Sequence, residues 1–305
     1  KLNMWVIPKS FYPPGKYTQK AYVDIFANWA VKYGYEKSVQ KGAQASRPDV
    51  HYTLPPMPEL ISPHGLKIEP FPYQKQGIAY ALQKKRCFFG DQPGLGKTLQ
   101  AIGTSFIAKT WPVLVICPAS LKINWQREWK KFTGKDAIIL DDRNKNNWHR
   151  YYEMGCCDVF ITNYESLKKF FVEDFAGGVT RSIKLKPVAS LFKCVIIDES
   201  HRCKSSKTQQ SKICYKLCQG KEYRFLLTGT PSINGPGDLI QQLKIMNRLD
   251  DFGGYKSFEA NFMQGPRQAS NLEMLNWRLW NTGFFRREKA KVLDQLPDKM
   301  RQVVN

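Results

Sequence analysis

No apolar run in this 305-residue chain approaches the roughly 20 residues that a membrane-spanning helix needs, which removes a membrane from the expected partners. No secretory signal is visible. The chain starts at Lys1 without a methionine, as a fragment of a longer polypeptide would. Internal repeats and low-complexity tracts are also missing. Acidic side chains are scarce, with 26 Asp and Glu against 47 Lys and Arg and a net charge of +21. That balance favours a polyanionic partner and suits a small neutral substrate poorly. The eight cysteines have no common zinc spacing. Cys203, Cys214 and Cys218 with His201 form one candidate cluster, but several of the others sit in apolar strand-like runs, where a thiol is a small hydrophobe. Free thiols are the favoured reading. They point to a reducing, intracellular setting, either a nucleus or a bacterial or viral-host cytoplasm.

One further absence falls in the most informative segment. Asp91-Gln-Pro-Gly-Leu-Gly-Lys-Thr98 has the ending of a phosphate-binding loop, yet Asp91 stands where such loops usually carry their first glycine. Gly94 and Gly96 would let backbone N–H groups wrap phosphates, Lys97 would reach the β and γ oxygens, and Thr98 would hold Mg²⁺. Taken alone, the segment has a lesser alternative, an ordinary strand-to-helix turn with Lys97 a solvated helix start. A second segment, Asp198-Glu-Ser-His201, supplies one carboxylate for Mg²⁺ (Asp198) and another to orient an attacking water (Glu199). Both segments follow short apolar runs and come in this order, which specifies a nucleoside triphosphatase using Mg²⁺.

Residues 1–64 differ from the rest. They are proline-rich, with one amphipathic stretch at Gln19–Tyr33 and a linker-like stretch at Gln40–Pro63. From Phe71 short apolar runs alternate with helical patterns. The predicted strands are Cys87–Phe89, Val113–Cys117, Ala137–Leu140, Val159–Thr162, Cys194–Asp198 and Phe225–Thr228. The predicted helices include Thr98–Ala108, Leu121–Phe132, Ser206–Leu217 and Asp238–Met246. This alternation predicts an α/β fold, a parallel sheet with helices on both faces and ligands at the carboxyl ends of strands. After about residue 250 the β signal stops. Phe258–Phe262 and Leu272–Trp280 read as short helices whose aromatics are core contacts rather than base-stacking platforms.

Further segments fall in a fixed order, the first about twenty residues before the phosphate loop and the others at strand ends. They are Pro72-Tyr73-Gln74, Val115-Ile-Cys-Pro-Ala-Ser120 with Trp125 after it, Ile161-Thr-Asn-Tyr-Glu165, and Leu227-Thr-Gly-Thr-Pro231 with Asn234 after it. A glutamine amide both donates and accepts, which suits an adenine edge. Small hydroxyl and glycine residues at strand ends offer donors to nucleic-acid phosphates without reading base sequence.

In these motifs and their order the chain resembles the Swi/Snf-type DNA-dependent ATPases of helicase superfamily two, across roughly residues 66–304. The resemblance implies a RecA-like first motor lobe. Gln74 would contact adenine, and Gly94, Gly96, Lys97 and Thr98 would bind phosphates and Mg²⁺. Lys97, Asp198 and Glu199 would be catalytic. His201, Thr228 and Thr230 would couple the ATP site to the DNA track. Pro118, Ser120, Lys122, Thr162 and Asn163 would lie near DNA phosphates. The closing run Arg286-Arg-Glu-Lys-Ala-Lys-Val-Leu-Asp-Gln-Leu-Pro-Asp-Lys299 looks like that family's connection between its two lobes, and it separates the family from simple unwinding helicases.

The implied organisation is an N-terminal accessory segment and linker (1–64), a RecA-like ATP-binding lobe (65–250), a helical protrusion (251–285) and a connection (286–305) to a second RecA-like lobe. The implied function is an ATP-driven motor on double-stranded or forked DNA. An RNA or strand-separating helicase and a non-catalytic DNA-binding module are the alternatives. Within the family, the sequence around Val195–His201 and the ending resemble the annealing-helicase (HARP-type) branch. The N-terminal segment fits either a small module preceding the motor or an unrelated linker with a docking helix. Two departures from the family pattern stand out. Gln92-Pro93 replaces an acidic-then-methionine pair, and Gly235-Pro-Gly237 replaces a more polar segment. Pro93 has no N–H and a fixed φ, which predicts altered nucleotide affinity.

Overall fold

The computed structural model describes residues 52–60, 64–265 and 268–292. The expected helix at 19–33, most of the proline-rich linker and the closing run beyond residue 292 lie outside the described residues. The chain divides into two units, Lys1–His51 and Tyr52–Asn305, and the second holds every described residue.

This second unit opens with α1 (Pro72–Lys84). Proline suits the first helical position, where its missing N–H costs nothing, and Gln74 reaches back to accept the Phe71 N–H at 3.0 Å. There follow β1 (Arg86–Phe89), α2 (Lys97–Ile107), β2 (Val113–Cys117), α3 (Lys122–Thr133), β3 (Ala137–Ile139), α4 (Trp148–Glu153) and β4 (Val159–Asn163). Next come α5 (Leu167–Phe171), an antiparallel pair β5 (Val172–Phe175) and β6 (Ile183–Leu185), then β7 (Cys194–Asp198), α6 (Gln209–Cys218) and β8 (Tyr223–Leu227). The last elements are α7 (Gly237–Met246), α8 (Gly254–Phe262), α9 (Leu272–Thr282), β9 (Phe284–Phe285) and α10 (Lys289–Val292). No described helix is long and apolar enough to cross a membrane.

Seven strands form one sheet in the order β3-β4-β2-β7-β8-β1-β9, and every pairing is parallel. Side chains alternate between its faces with period two. On β2, Val113, Val115 and Cys117 join Tyr80, Ala101, Ile102, Trp125 and Trp129 from α1, α2 and α3 in one cluster. Leu114 and Ile116 join Ile213, Leu217, Leu239 and Leu243 from α6 and α7 in the other. Both faces are covered, as the unbroken apolar runs predict.

Two expectations need correction. The β pattern does not stop at residue 250. β9 adds to the edge of β1, with Phe88 N–H donating to Gly283 O and Gly90 N–H to Phe285 O. A two-residue strand is too short to carry a periodic signal, and the unpaired edge of β1 is what recruits it. The β5–β6 pair is likewise not among the predicted strands. Phe252, Phe258, Phe262, Leu275 and Leu279 of the 249–282 region are all buried in the same cluster as α6 and α7, so Phe258 and Phe262 are core contacts. Gly235-Pro-Gly237 serves as the entry to α7. Pro236 is its N-cap, and the Asp238 carboxylate accepts the Ile233 and Asn234 N–H groups at 3.1 and 3.0 Å.

Candidate active site

The order β2-β7-β8-β1 sets four carboxyl ends side by side. They carry Pro118, Asp198, Thr228 and the loop from Gly90 onward. That loop runs from β1 into α2. Gly94 and Gly96 have φ of 87° and 74°, and Gly96 is the left-handed N-cap of α2. A Cβ at Gly96 would lie 2.3 Å from Gln74 Nε2, so glycine is required both for conformation and for close approach. The N-terminal N–H groups of α2 open on this loop, with Lys97 and Thr98 as its first two residues. Lys97 Nζ folds back to donate to Asp91 O at 2.8 Å. Burial lowers the Lys97 ammonium pKa, opposed by the negative charges of Asp91, Glu199 and Asp198. Gln74 is buried. Its Oε1 takes the Phe71 N–H and its Nε2 donates to Leu95 O at 3.3 Å, which ties α1 to the loop.

Asp198 ends β7 and is 8% exposed. Burial raises its carboxyl pKa, and two donors oppose that rise. Trp125 Nε1 donates to Oδ2 at 2.9 Å, and the Glu199 N–H donates to Oδ1 at 2.9 Å. Glu199 adopts φ 51°, a left-handed conformation uncommon for a residue with a Cβ. The turn swings its carboxylate toward β8, where Thr228 Oγ1 donates to Glu199 Oε2 at 3.4 Å and His201 Nδ1 lies 3.2 Å from the same oxygen. His201 Nδ1 is 2.9 Å from Thr228 Oγ1, and the Thr230 N–H donates to that hydroxyl at 3.1 Å. Residues placed together by motif order are therefore linked by hydrogen bonds across two neighbouring strands.

The residues expected near DNA phosphates divide. Pro118 caps a short turn past β2, Ser120 is exposed, and Lys122 opens α3 half-buried. Thr162 lies inside the sheet. It is 0% exposed, with its hydroxyl sealed and without a hydrogen-bond partner, because β4 is covered on both faces. Asn163 is buried too, and its amide donates to Glu165 Oε2 at 2.8 Å.

Three contributors are not legible as site residues in the sequence. Trp125 stands near the Val115–Ser120 segment without an evident role, and its donor-only indole is the one clue. Tyr164 donates to Asp198 O at 2.5 Å and lies under the Arg202 guanidinium, which itself pairs with Glu165 at 2.8 Å. The third is Arg287, which closes on Asp91 and thereby explains the missing glycine. Pro93, the other departure in the loop, packs on Gly229, where a Cβ would come 2.8 Å from Pro93 Cδ.

The donor set fits a Mg²⁺-nucleoside triphosphate. A glycine-shaped loop, helix N–H groups and Lys97 face anions, while Thr98 Oγ1 and the Asp198 carboxylate are hard oxygen ligands of the kind Mg²⁺ takes.

Comparison with known proteins agrees with this geometry. Over 261 residues the chain is 32% identical to the human "DNA annealing helicase and endonuclease ZRANB3", spanning 79% of this chain but only 22% of that protein. It is 28% identical to a Caenorhabditis elegans SWI/SNF-related regulator of chromatin, subfamily A-like protein 1 homolog, spanning 77% of this chain and 33% of that one. The Sulfolobus solfataricus SWI2/SNF2 ATPase core, solved with double-stranded DNA, superposes with a TM-score of 0.61 and 26% identity, over 78% of this chain and 49% of that one. Residues 73–305 match the SNF2-related domain, and the chain belongs to that family.

Proposed function

We propose that this chain is the ATP-binding lobe of a motor that moves along double-stranded DNA. The observation that carries the reading is the convergence at adjacent strand ends of Lys97, Asp198 and Glu199 with the Thr228–His201 pair. In this reading the α2 N–H groups and Lys97 hold the triphosphate. Thr98 and Asp198 would hold Mg²⁺, which would supply positive charge against the negative charge developing on the phosphates. Trp125 and the Glu199 N–H aim the Asp198 oxygens. Glu199 orients the attacking water, and Thr228 and His201 fix its carboxylate. Gln74 sits beside the loop where an adenine edge would lie.

The same Thr228 hydroxyl holds the Thr230 N–H, so a shift of the β8 end against DNA would move Glu199. Ser120 and Lys122, at the next strand end but one, are the side chains best placed for DNA phosphates. A second RecA-like lobe would follow the 286–292 segment and supply arginines for the transition state, so the isolated lobe would turn over slowly. The human relative is named an annealing helicase, which favours forked or re-annealing DNA as the substrate here.

The test is ATPase activity of a two-lobed protein with duplex DNA, single-stranded DNA and RNA, together with displacement of a third strand from a triplex. Duplex-stimulated hydrolysis with triplex displacement is expected. Stimulation by RNA alone, or strand separation without triplex displacement, would replace this reading with a conventional helicase.

A further inference from the structure

The described part of the 286–299 run lies against the phosphate loop. The two segments exchange main-chain and side-chain hydrogen bonds. Gln92 N–H donates to Arg287 O at 3.1 Å, and the Lys289 N–H donates to Gln92 Oε1 at 3.0 Å. Arg286 donates to Gly229 O at 2.6 Å. These contacts fix the backbone of Lys289 beside the loop, and its side chain extends over the loop's crest. A Cβ at Gly94 would lie 2.9 Å from Lys289 Nζ and 3.1 Å from its Cε.

Of the neighbouring cations, Arg286 is spent on the carbonyls of Gly90 and Gly229, and two others are ion-paired. Arg287 pairs with Asp91 and Lys291 with Glu288. Asp91, the carboxylate inside the loop, is fully buried. Its oxygens accept from Arg287 N and Nε on one side and from Arg287 Nη2 and Gln100 Nε2 on the other. That leaves it no site for another cation. Lys97 meanwhile turns its ammonium to the carbonyl of the same residue. Among the described residues no carboxylate pairs with Lys289 Nζ. An ammonium held by its own backbone at a glycine crest, beside helix N–H groups and without an anion, is a site for phosphate oxygens.

We infer that Lys289 is a second lysine of the nucleotide site, reaching from the inter-lobe segment to the β and γ phosphates. The inference rests on the ATP-site reading proposed for Lys97 and Asp198. Its consequence is that nucleotide bridges the phosphate loop and the segment leading toward the second lobe, so occupancy of the site is felt directly by that segment.

Binding of fluorescently labelled ATP, ADP and adenosine to the 305-residue chain tests this. Lys289→Ala should weaken ATP about tenfold, the worth of one charge-assisted hydrogen bond, and leave adenosine unchanged. Lys289→Arg should recover most of the loss. Lys97→Ala serves as the reference. If wild type fails to bind ATP, or binds it equally well with Lys97→Ala, the ATP-site reading falls and the inference with it. If Lys97→Ala loses ATP while Lys289→Ala does not, the inference alone is overturned. It is also overturned if Lys289→Ala weakens adenosine as much as ATP, or if arginine fails to rescue, since either marks a structural effect.

Discussion

Arg287 meets Asp91 side-on. Its Nη2 lies 2.5 Å from Oδ2, its Nε 3.1 Å from Oδ1, and its own backbone N–H donates to Oδ1 at 2.9 Å. The guanidinium also stacks over Phe285 and Tyr73 and donates to Gln100 Oε1 at 2.8 Å. Asp91 lies at the start of the phosphate loop and Arg287 near the end of the described chain. The pair therefore closes the parallel sheet's β1 edge onto the segment after β9.

Breaking this pair from the acidic side leaves a buried guanidinium without its anion. Asp91→Ala should lower the unfolding free energy by about 3–5 kcal/mol. Arg287→Lys keeps the charge but loses the fork geometry, so it should fall between wild type and Asp91→Ala. Urea denaturation of the chain measures both. A loss below about 1 kcal/mol for Asp91→Ala, the range of an exposed pair, would contradict a buried latch.

Asp198 should trade stability for function. Its folded carboxyl pKa is raised by burial, so between the ordinary carboxylate range and that raised value the folded state binds more protons than the unfolded one. Stability associated with this group therefore falls as pH rises through that window, and the penalty is complete above it. Asp198→Asn should be more stable than wild type at neutral pH, with the gap closing as pH falls to the ordinary carboxylate range, while Mg²⁺-dependent ATP binding is lost. Melting curves across pH would show it, and a gap that widens in acid would refute the sign.

Thr228 is fully buried, so Thr228→Val keeps its volume while removing the hydroxyl shared by Glu199, His201 and the Thr230 N–H. ATP affinity should hold. DNA-stimulated turnover of a two-lobed protein should fall on the order of 10²-fold, the scale of a misplaced catalytic group. Glu199→Gln should likewise bind ATP but stop hydrolysis. Steady-state kinetics beside nucleotide titration separate the two effects; normal turnover in Glu199→Gln would remove Glu199 from its assigned role, and normal turnover in Thr228→Val would remove Thr228 from its positioning role.

Lys122 should report DNA contact through salt. If it neutralises one phosphate, Lys122→Ala should reduce the slope of log affinity against log salt by about 0.9, with little dependence on base sequence. Duplex binding to the chain, titrated across salt concentrations, gives the slope directly. An unchanged slope would take Lys122 off the DNA track.

The sequence carries the sheet because strands covered on both faces must be apolar throughout. Val113–Cys117 and Cys194–Asp198 are legible to the residue. The loop and the Asp-Glu-Ser-His segment are legible because their chemistry is local, compressed into eight and four consecutive residues. Positions that depend on partners distant in sequence are not legible. Nothing near Trp125 announces Asp198, nothing near Tyr164 announces the end of β7, and β9 exists only because β1 has an open edge. That the Thr162 hydroxyl is buried is likewise not legible, because the covering of β4 is a tertiary matter. Asp91 looks like a defect in a local pattern. Its reason lies 196 residues away in Arg287, since a buried carboxylate is tolerated only where the folded chain brings a cation and donors to all its lone pairs.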